Sequence, residues 1–597
     1  MDLQPGLPAR AALARFAAAA LLLAAAAIPT FAQQNPAPAD ARDLAGLWGI
    51  DTVFAPAAQG ELTLTRRGGA WTARIAGLQA TSAVSGDSLR LALPGGRGWF
   101  RGRIEAAGAR VAGFWIRPAG MESISRYATP LVLRRAGPGV WRGVVTPLED
   151  RYQLYASIQP DSAGALTVFF RNPQRNQRGG ARTFRVERAG DSVRFVPPGD
   201  TAAIRARLDR AAGRLVVAWP ALGADVPLRR MRGAEARGFY ARVPPAAPYR
   251  YRAPVPRGDG WRTAQARAAG LDPAPLERLV RRIEAADPAD PAAPQVHSLL
   301  VARHGRLALE EYFHGHDAGR PHDLRSASKT FAGVLLGAWR LQGLRLGPET
   351  RVLPLFARYG PPRNPDPRKD AITLGHLLTM TSGLACDEND AASPGNENTM
   401  QSQTEQPDWY RFALDLPMAR APGERYAYCS ASPNLAAGAI RQASGEWLVS
   451  SFDRLVARPL GITRYHVNVT PADEMYFGGG VRMLPRDLLK FGQLYLDGGV
   501  WNGRRVVAAE WVARSTRLQT PPPDADGLGW HLNQVRAGGR VFREYEANGN
   551  GGQLLMVLPE LDLAVVVTAG NYNAYNVWRK FREDWLAQSI IPAVVGR

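Results

Sequence analysis

The pattern of apolar residues changes once along this chain, on either side of a Pro- and Arg-rich segment at residues 233–261. From residue 40 to about 232, short alternating stretches such as Glu61-Leu62-Thr63-Leu64-Thr65 are separated by Gly, Pro and Asp. Regularly spaced short strands of this kind predict an all-β sandwich or barrel. The segment 233–261 is typical of a semi-rigid linker, and the residues after it mix strands with helices.

A faint internal repeat divides the first region. Gly46-Leu47-Trp48 recurs as Gly139-Val140-Trp141, and Gly86-Asp87-Ser88 recurs as Gly190-Asp191-Ser192. A repeat on the order of 100 residues is too long for a solenoid. We therefore expect two related β-units, residues 40–136 and 137–232, each resembling a lipocalin-like barrel or a sandwich in its strand spacing.

The region 262–597 begins with a helix capped by Asp272 and continues with a hairpin that turns at His304-Gly305. A second hairpin, Gln553 to Leu558 and Leu561 to Thr568, lies near the end and precedes a helix from about Tyr575. Strands at both ends with helices between them predict one mixed sheet closed by the N- and C-terminal segments.

A lysine stands out because the chain uses arginine almost everywhere. Of 74 Lys and Arg residues only four are lysines, and Lys329 lies three residues after Ser326 at the start of an apolar helical stretch. Arginine stays protonated in proteins, whereas a buried lysine can lose its proton and act as a base. Residues i and i+3 share a helix face, so the spacing predicts a serine nucleophile, Ser326, activated by Lys329. Ser328 has Phe331 at the matching position and is the weaker candidate.

Two further segments carry side chains or backbone groups suited to the same chemistry. Tyr428 and Ser430 follow a Pro-Gly turn, and a phenol can relay protons because it both donates and accepts hydrogen bonds. Asn550 and Gly551 begin a Gly-rich strand edge, where backbone N–H groups can form half of an oxyanion hole. Taken singly, the tyrosine is more often structural and the glycines only a tight turn.

Together, in this order and spacing, these segments resemble the serine β-lactamase/penicillin-binding-protein superfamily, specifically its class C-like branch. That branch also holds esterases, D-aminopeptidases, DD-peptidases and 6-aminohexanoate-oligomer hydrolases. Its Ser-x-x-Lys motif corresponds to Ser326 and Lys329, and its Tyr-x-Asn motif to Tyr428-Cys429-Ser430, with Ser in place of Asn. The third motif, Lys-Thr-Gly or His-x-Gly, has no clean counterpart; Asn550-Gly551-Gly552 occupies its place.

The resemblance covers residues 262–597 and implies an α/β domain with a mainly antiparallel sheet flanked by helices and a helical subdomain. It implies acyl transfer through an ester on Ser326, with Lys329 and Tyr428 moving protons and Asn550, Gly551 and Ser430 contacting the substrate or its oxyanion. No metal or organic cofactor is required. The change from Asn to Ser at Ser430 and the missing basic residue of the third motif argue against an efficient β-lactamase.

The function expected from this resemblance is hydrolysis of a small-molecule ester, amide or peptide. A catalytically inactive binding protein with the same fold, and a DD-peptidase or β-lactamase acting on cell-wall peptides or β-lactams, are the alternatives. The sequence does not fix the natural substrate, the role of the β-units or the oligomeric state.

The first 32 residues resemble a secretory signal, with Arg10 and Arg15 before the apolar run Phe16 to Ile28 and a small-residue site ending at Ala32. We therefore expect a periplasmic or secreted protein whose mature chain begins at Gln33. The net charge of +21 comes without basic runs interleaved with aromatics, which excludes nucleic-acid binding but allows weak association with anionic envelope polymers.

Cysteine and histidine leave two questions open. Cys386 and Cys429 can form a disulfide in an exported protein or stay as two buried thiols. His314, His316 and His322, with Asp317 and Asp323, are residue types that bind metals. No partner for them is evident in the second half of the chain, so no metal site is predicted.

Overall fold

The computed structural model describes residues 43–595 apart from 55–56, 121–124, 175–182, 200–201, 221, 245, 403–406 and 521–525. The leader expected at residues 1–32 lies outside the described residues. Within the described ranges, no helix combines the length and the apolar character needed to cross a membrane. The described residues fall into two compact units, one within 1–50, 154–171 and 181–232 and the other within 51–153, 172–180 and 233–597.

The region before residue 233 is built from strands. They are β1 (Gly46–Val53), β2 (Gly60–Arg67), β3 (Ala70–Ile75), β4 (Leu78–Ser85), β5 (Ser88–Ala92), β6 (Trp99–Glu105), β7 (Arg110–Arg117), β8 (Arg126–Gly137), β9 (Val140–Val145), β10 (Arg151–Pro160), β11 (Leu166–Arg171), β12 (Thr183–Ala189), β13 (Ser192–Val196), β14 (Ile204–Asp209), β15 (Arg214–Trp219) and β16 (Ala224–Arg230).

These strands form two barrel-like sheets. One is a closed barrel in the order β1-β10-β11-β12-β13-β14-β15-β16. In the other, β9 pairs with both β2 and β8, which closes β2–β9 into a ring. Strand β2 buries Leu62 and Leu64, whereas Glu61, Thr63 and Thr65 are at least partly exposed, as expected for a barrel wall with one face inside. The all-β prediction is confirmed, while the likeness to lipocalins stays a prediction.

The domain boundaries inferred from the sequence repeat also stay predictions. The repeat makes β1 and β9 equivalent, but each pairs with a strand from the other repeat: β1 pairs with β16, and β9 pairs with β2. Each barrel thus includes a strand from the far side of residue 137.

The strands after residue 261 are β17 (Arg262–Thr263), β18 (Val296–Arg303), β19 (Arg306–Tyr312), β20 (His322–Asp323), β21 (Tyr465–Val469), β22 (Val481–Met483), β23 (Val500–Trp501), β24 (Arg504–Arg505), β25 (His531–Ala537), β26 (Arg540–Gly549), β27 (Gln553–Leu558) and β28 (Leu563–Ala569). The α-helices of the described residues are α1 (Pro273–Glu284), α2 (Thr330–Leu341), α3 (Leu374–Leu378), α4 (Glu397–Gln401), α5 (Trp409–Asp415), α6 (Ala431–Ser444), α7 (Leu448–Phe452), α8 (Pro485–Leu496), α9 (Ala509–Ser515) and α10 (Tyr575–Trp578).

The central sheet of this region has the order β17-β19-β18-β28-β27-β26-β25. Its pairs are antiparallel except β17 with β19. Strand β18 is buried along its whole length because helices cover both faces of the sheet. Leu299 and Val301 pack in a core with α1 and the C-terminal helices, whereas Leu300 packs in a core with α2 and α8.

Both predicted hairpins and the capped helix are confirmed. Strands β18 and β19 turn at His304-Gly305, β27 and β28 form the second hairpin, and Asp272 accepts a hydrogen bond from the Ala274 N–H at the start of α1. The pairing of β18 with β28 joins the two ends of the region in one sheet, as predicted.

The β2–β9 ring and the helical region share a second sheet. Strand β8 pairs with β21, β21 with β22, and β22 with β20, which leads directly into the turn that holds Ser326. Side chains reinforce this junction, because Arg126 forms an ion pair with Asp473 at 2.8 Å.

Candidate active site

Ser326 lies in a 3₁₀ turn, Arg325–Lys329, between β20 and α2. Side chains at i and i+3 eclipse one another in a 3₁₀ helix, and Lys329 Nζ lies 2.8 Å from Ser326 Oγ in a hydrogen bond. Arg325, just before the serine, has a φ of 49°, a strained conformation of the kind that clusters at functional sites. The local sequence thus brings a hydroxyl and an amine together.

The two serines of this turn differ in access. Ser326 is partly exposed, whereas Ser328 is fully buried and its hydroxyl accepts a hydrogen bond from the Val481 N–H at 3.1 Å. A substrate can therefore reach Ser326 but not Ser328.

Lys329 is held by more than the serine. Its side chain is 5% exposed, and Nζ also donates to the Gly478 carbonyl at 2.5 Å. Nζ lies 4.9 Å from the centroid of the Tyr428 ring. The amine therefore has a fixed direction, with the serine on one side and the phenol ring on another.

Tyr428 is positioned by its neighbours in the loop before α6. The adjacent Cys429 forms a disulfide with Cys386, which decides between the two alternatives left open by the sequence. The Tyr428 carbonyl accepts a hydrogen bond from the Glu388 N–H at 2.8 Å. A covalent link and a backbone hydrogen bond thus join this loop to residues 386–388.

The Glu388 carboxylate ties the same loop to α4, a contact that the sequence did not predict. It accepts hydrogen bonds from the Ser430 N–H at 2.9 Å and from the Glu397 N–H at 2.8 Å. Burial raises the pKa of Glu388 above its ordinary value, although these two N–H groups and the charge of Lys329 act in the opposite direction. Glu388 is therefore an acidic group close enough to the Lys329 amine to interact with its charge.

Ser430 itself is fully buried. Its backbone N–H holds the Glu388 carboxylate, and its hydroxyl contacts the phenol of Tyr476. Its predicted contact with substrate stays a prediction.

The third predicted segment lies at the end of β26. Asn550 is exposed, and its side chain exchanges hydrogen bonds with Asn573: Nδ2 donates to Oδ1 at 2.7 Å, and the Asn573 N–H donates to Oδ1 of Asn550 at 2.8 Å. The Gly551 carbonyl accepts from the Asn571 N–H at 3.0 Å. The asparagine side chain therefore faces the loop after β28, which leaves its backbone as the group to consider for an oxyanion.

Gly549 makes a close contact with the turn that holds Ser326, residues 324–329, which we call the nucleophile turn; the sequence pattern did not predict this contact. A Cβ at this position would lie 2.3 Å from the Leu324 carbonyl oxygen and 3.1 Å from the Ala327 nitrogen. The absence of a side chain lets β26 run directly against the turn. The residue after it, Asn550, is thereby brought to the edge of the same turn.

His531, on β25, forms an ion pair with Asp526 at 2.7 Å. Burial acts to lower the pKa of His531, but the hydrogen bond and charge of Asp526 prevail and raise it above 6.5; the charge of Lys329 opposes this rise. Among the described residues, the one grouping with metal-ligand spacing is His297, His316 and His322, which does not include Ser326 or Lys329.

Comparison with known proteins gives the family of this region. The family model described as Beta-lactamase matches residues 280–577. Residues 280–577 belong to the beta-lactamase family. The resemblance inferred from the three motifs is therefore confirmed.

Individual relatives cover less of the molecule. The chain is 28% identical over 227 residues to a 6-aminohexanoate-dimer hydrolase of Paenarthrobacter ureafaciens, which covers 36% of this chain and 55% of the relative. It is 34% identical over 181 residues to esterase EstB of Burkholderia gladioli, and this match covers 27% of this chain and 44% of the relative. The chain spans about half the length of these curated relatives.

A solved structure of a D-stereospecific amidohydrolase from Streptomyces sp. is 17% identical, with a TM-score of 0.40, and covers 52% of this chain and 98% of that one.

Proposed function

We propose that this protein is an exported serine hydrolase that cleaves an ester or amide bond through an acyl-enzyme on Ser326. The observation that carries the proposal is the 2.8 Å hydrogen bond between Lys329 Nζ and Ser326 Oγ. A serine hydroxyl is a weak nucleophile unless a base takes its proton, and this amine is the group in contact with it.

In the first step, the amine of Lys329 accepts the proton of Ser326 while Oγ attacks the carbonyl carbon of the substrate. The Gly478 carbonyl holds the amine in place during this transfer. The backbone N–H groups of Ser326 and Asn550 stabilise the oxyanion, and loss of one such donor costs about 3–4 kcal/mol in related chemistry.

In the second step, the leaving group takes a proton and departs. Tyr428 relays that proton from Lys329, whose amine lies against the phenol ring. Water then attacks the acyl carbon and passes one proton through Tyr428 to Lys329. The bond between that carbon and Ser326 Oγ breaks, Lys329 returns the proton to Oγ, and the carboxylic acid product leaves. No step needs a metal or an organic cofactor.

Ester or amide substrates of modest size suit this site better than β-lactams. Neither Ala547-Asn548-Gly549, at the end of β26 beside the nucleophile turn, nor Asn550-Gly551-Gly552, which follows it, contains the basic residue that helps hold a substrate carboxylate in β-lactamases. The relatives named above act on a 6-aminohexanoate dimer and on esters, which places amides and esters first among the substrates to test.

The test is turnover by the mature chain on a panel that contains a p-nitrophenyl ester, a 6-aminohexanoate dimer, a D-alanyl-D-alanine peptide and nitrocefin. We expect hydrolysis of the ester or the amide and little of nitrocefin. Ser326→Ala lowers kcat by at least about 10⁴-fold, as expected for loss of a nucleophile.

The matched control is Ser85→Ala, at an exposed serine at the end of β4, which keeps wild-type kcat. Wild-type turnover by Ser326→Ala would exclude Ser326 as the nucleophile. Rapid hydrolysis of nitrocefin would move the assignment to a β-lactamase.

Export rests on the leader at residues 1–32 and on the Cys386–Cys429 disulfide, since disulfides persist in oxidising compartments such as the periplasm. The full chain expressed in a Gram-negative host should appear in the periplasmic fraction with Gln33 as its first residue. Retention of Met1 in the cytoplasm would contradict the proposal.

A further inference from the structure

Three histidines from separate segments converge at the start of β20, the strand that precedes the nucleophile turn. His297 lies on β18, His316 in the loop after β19, and His322 on β20. One ring nitrogen from each lies within 4.8 Å of the others. We call these three residues the histidine cluster.

The hydrogen bonds of His322 fix which of its nitrogens faces the cluster. Its Nδ1 lies 3.1 Å from the Asp323 carbonyl oxygen, which can only accept, so Nδ1 carries the proton. Nε2 is then an acceptor, and it faces His297 Nδ1 at 2.7 Å. Metal-binding histidines are commonly oriented this way, with one ring nitrogen donating to a backbone carbonyl and the other free to ligate.

His316 brings a nitrogen whose hydrogen-bonding capacity is unused. Its ring stacks on that of His297 with centroids 4.0 Å apart and an angle of 10° between the planes. Although the residue is partly exposed, its Nε2 is buried and has no hydrogen-bond partner among the described residues. A buried polar nitrogen without a partner is unfavourable, and a bound ion would satisfy it.

Groups of both charges lie near the cluster. The guanidinium groups of Arg320 and Arg482 lie near His322 and would oppose a cation. The Asp323 carboxylate, 3.4 Å from Arg482 Nη2, offsets part of that charge.

We propose that His297, His316 and His322 form a binding site for Zn²⁺, with water as the fourth ligand. Three imidazole ligands and an open position are a common arrangement for zinc, which binds histidine nitrogen at about 2.0–2.1 Å. Tetrahedral geometry at that distance separates the His297 and His322 nitrogens by about 0.6 Å more than their present hydrogen bond. A small rotation of either ring supplies this separation, and the proton on His297 Nδ1 moves to Nε2 of the same ring when the metal replaces the hydrogen bond.

His314, His316 and His322 are close in sequence, but the sequence pattern alone shows no partner for them elsewhere in the chain. The partner is His297, which precedes them by a whole hairpin. His322 is four residues before Ser326, so zinc would link β18, the loop after β19 and β20 just ahead of the nucleophile turn. The role of the site is to position that turn, and it is independent of the hydrolytic chemistry proposed above.

The test uses the metal-free mature protein titrated with Zn²⁺ in competition with a chromophoric chelator, and with Co²⁺ to report geometry by visible absorption. We expect one ion per chain, an intense tetrahedral Co²⁺ spectrum and a higher Tm with Zn²⁺. His316→Ala should weaken Zn²⁺ binding by at least about 100-fold and abolish the Co²⁺ spectrum, as expected for loss of one of three protein ligands.

His304→Ala is the matched control, because His304 is exposed and paired with Asp562 outside the cluster. It should bind Zn²⁺ as the wild type does. Because His316 is partly exposed, its replacement keeps the test valid even if His297→Ala fails to fold. Equal Zn²⁺ affinity for wild type and His316→Ala, or no stoichiometric binding by the wild type, would overturn the proposal.

Discussion

Gly549→Ala tests whether β26 and the nucleophile turn must touch. The backbone at Gly549 permits alanine, since its φ is not in the left-handed region, so the effect of the added methyl group is steric. That methyl carbon would lie 2.3 Å from the Leu324 oxygen. Non-bonded heavy atoms prefer separations of about 3.5 Å, so the strand and the turn must move apart by about 1 Å.

The size of the effect follows from that displacement. A misplacement of about 1 Å in a catalytic arrangement can cost about 100-fold in rate, and overpacking of a tight contact costs about 1–3 kcal/mol of stability. We expect Gly549→Ala to lower the second-order rate constant for labelling of Ser326 by a fluorophosphonate about 100-fold. Its Tm should fall by a few degrees.

The control is Gly137→Ala, whose added methyl group would meet no heavy atom within 4 Å and whose backbone also permits alanine. Labelling rate and Tm are measured for the wild type and both variants at the same pH. If Gly549→Ala labels at the wild-type rate with an unchanged Tm, the contact between β26 and the nucleophile turn does not govern the site.

Three further predictions concern groups around the site. Replacing Cys386 and Cys429 by serine removes a covalent link across 43 residues, worth about 4 kcal/mol by loop entropy. The Tm should fall, and the kcat for esters should fall with it because Tyr428 is next to Cys429. Unchanged Tm and kcat would contradict this prediction. Glu388→Gln replaces one of the two accepting carboxylate oxygens by an amide NH₂ group. One of the two charge-assisted hydrogen bonds is then lost, which should lower the free energy of unfolding by about 1.5–3 kcal/mol and also lower kcat. Because the pKa of His531 is raised in the folded state, its protonation stabilises the fold; this stabilisation is fully present below pH 6.5 and is lost as pH rises through the folded-state pKa. The Tm of His531→Gln should therefore fall further below that of the wild type at pH 6 than at pH 8. An equal fall at both pH values would refute the ion pair with Asp526 as the source of the stabilisation.

Local patterns were enough to predict much of the α/β region. The β18–β19 hairpin follows from a two-residue turn between apolar stretches, and the start of α1 from Asp272 followed by proline. The Ser326–Lys329 contact is equally local, because three-residue spacing on a helical turn brings two side chains together whatever the rest of the chain does. Each of these features depends on neighbours in sequence.

Features that depend on distant residues were not predictable in this way. The exchange of β1 and β9 between barrels depends on strand pairing across the chain, which the sequence repeat does not encode. The contact of Gly549 with the nucleophile turn joins residues more than 200 positions apart and leaves no mark beyond a glycine. His297 has no neighbouring histidine in sequence, so only the fold places it in the histidine cluster.

The central claim is that Ser326 carries the acyl group and Lys329 activates it. It is tested most directly by trapping the intermediate with a slowly hydrolysed acyl probe and locating the adduct by peptide mass spectrometry. We expect one adduct per chain, on Ser326, which disappears in Lys329→Met although that variant stays folded. An adduct on any other residue, or full acylation of Ser326 in Lys329→Met, would contradict the account.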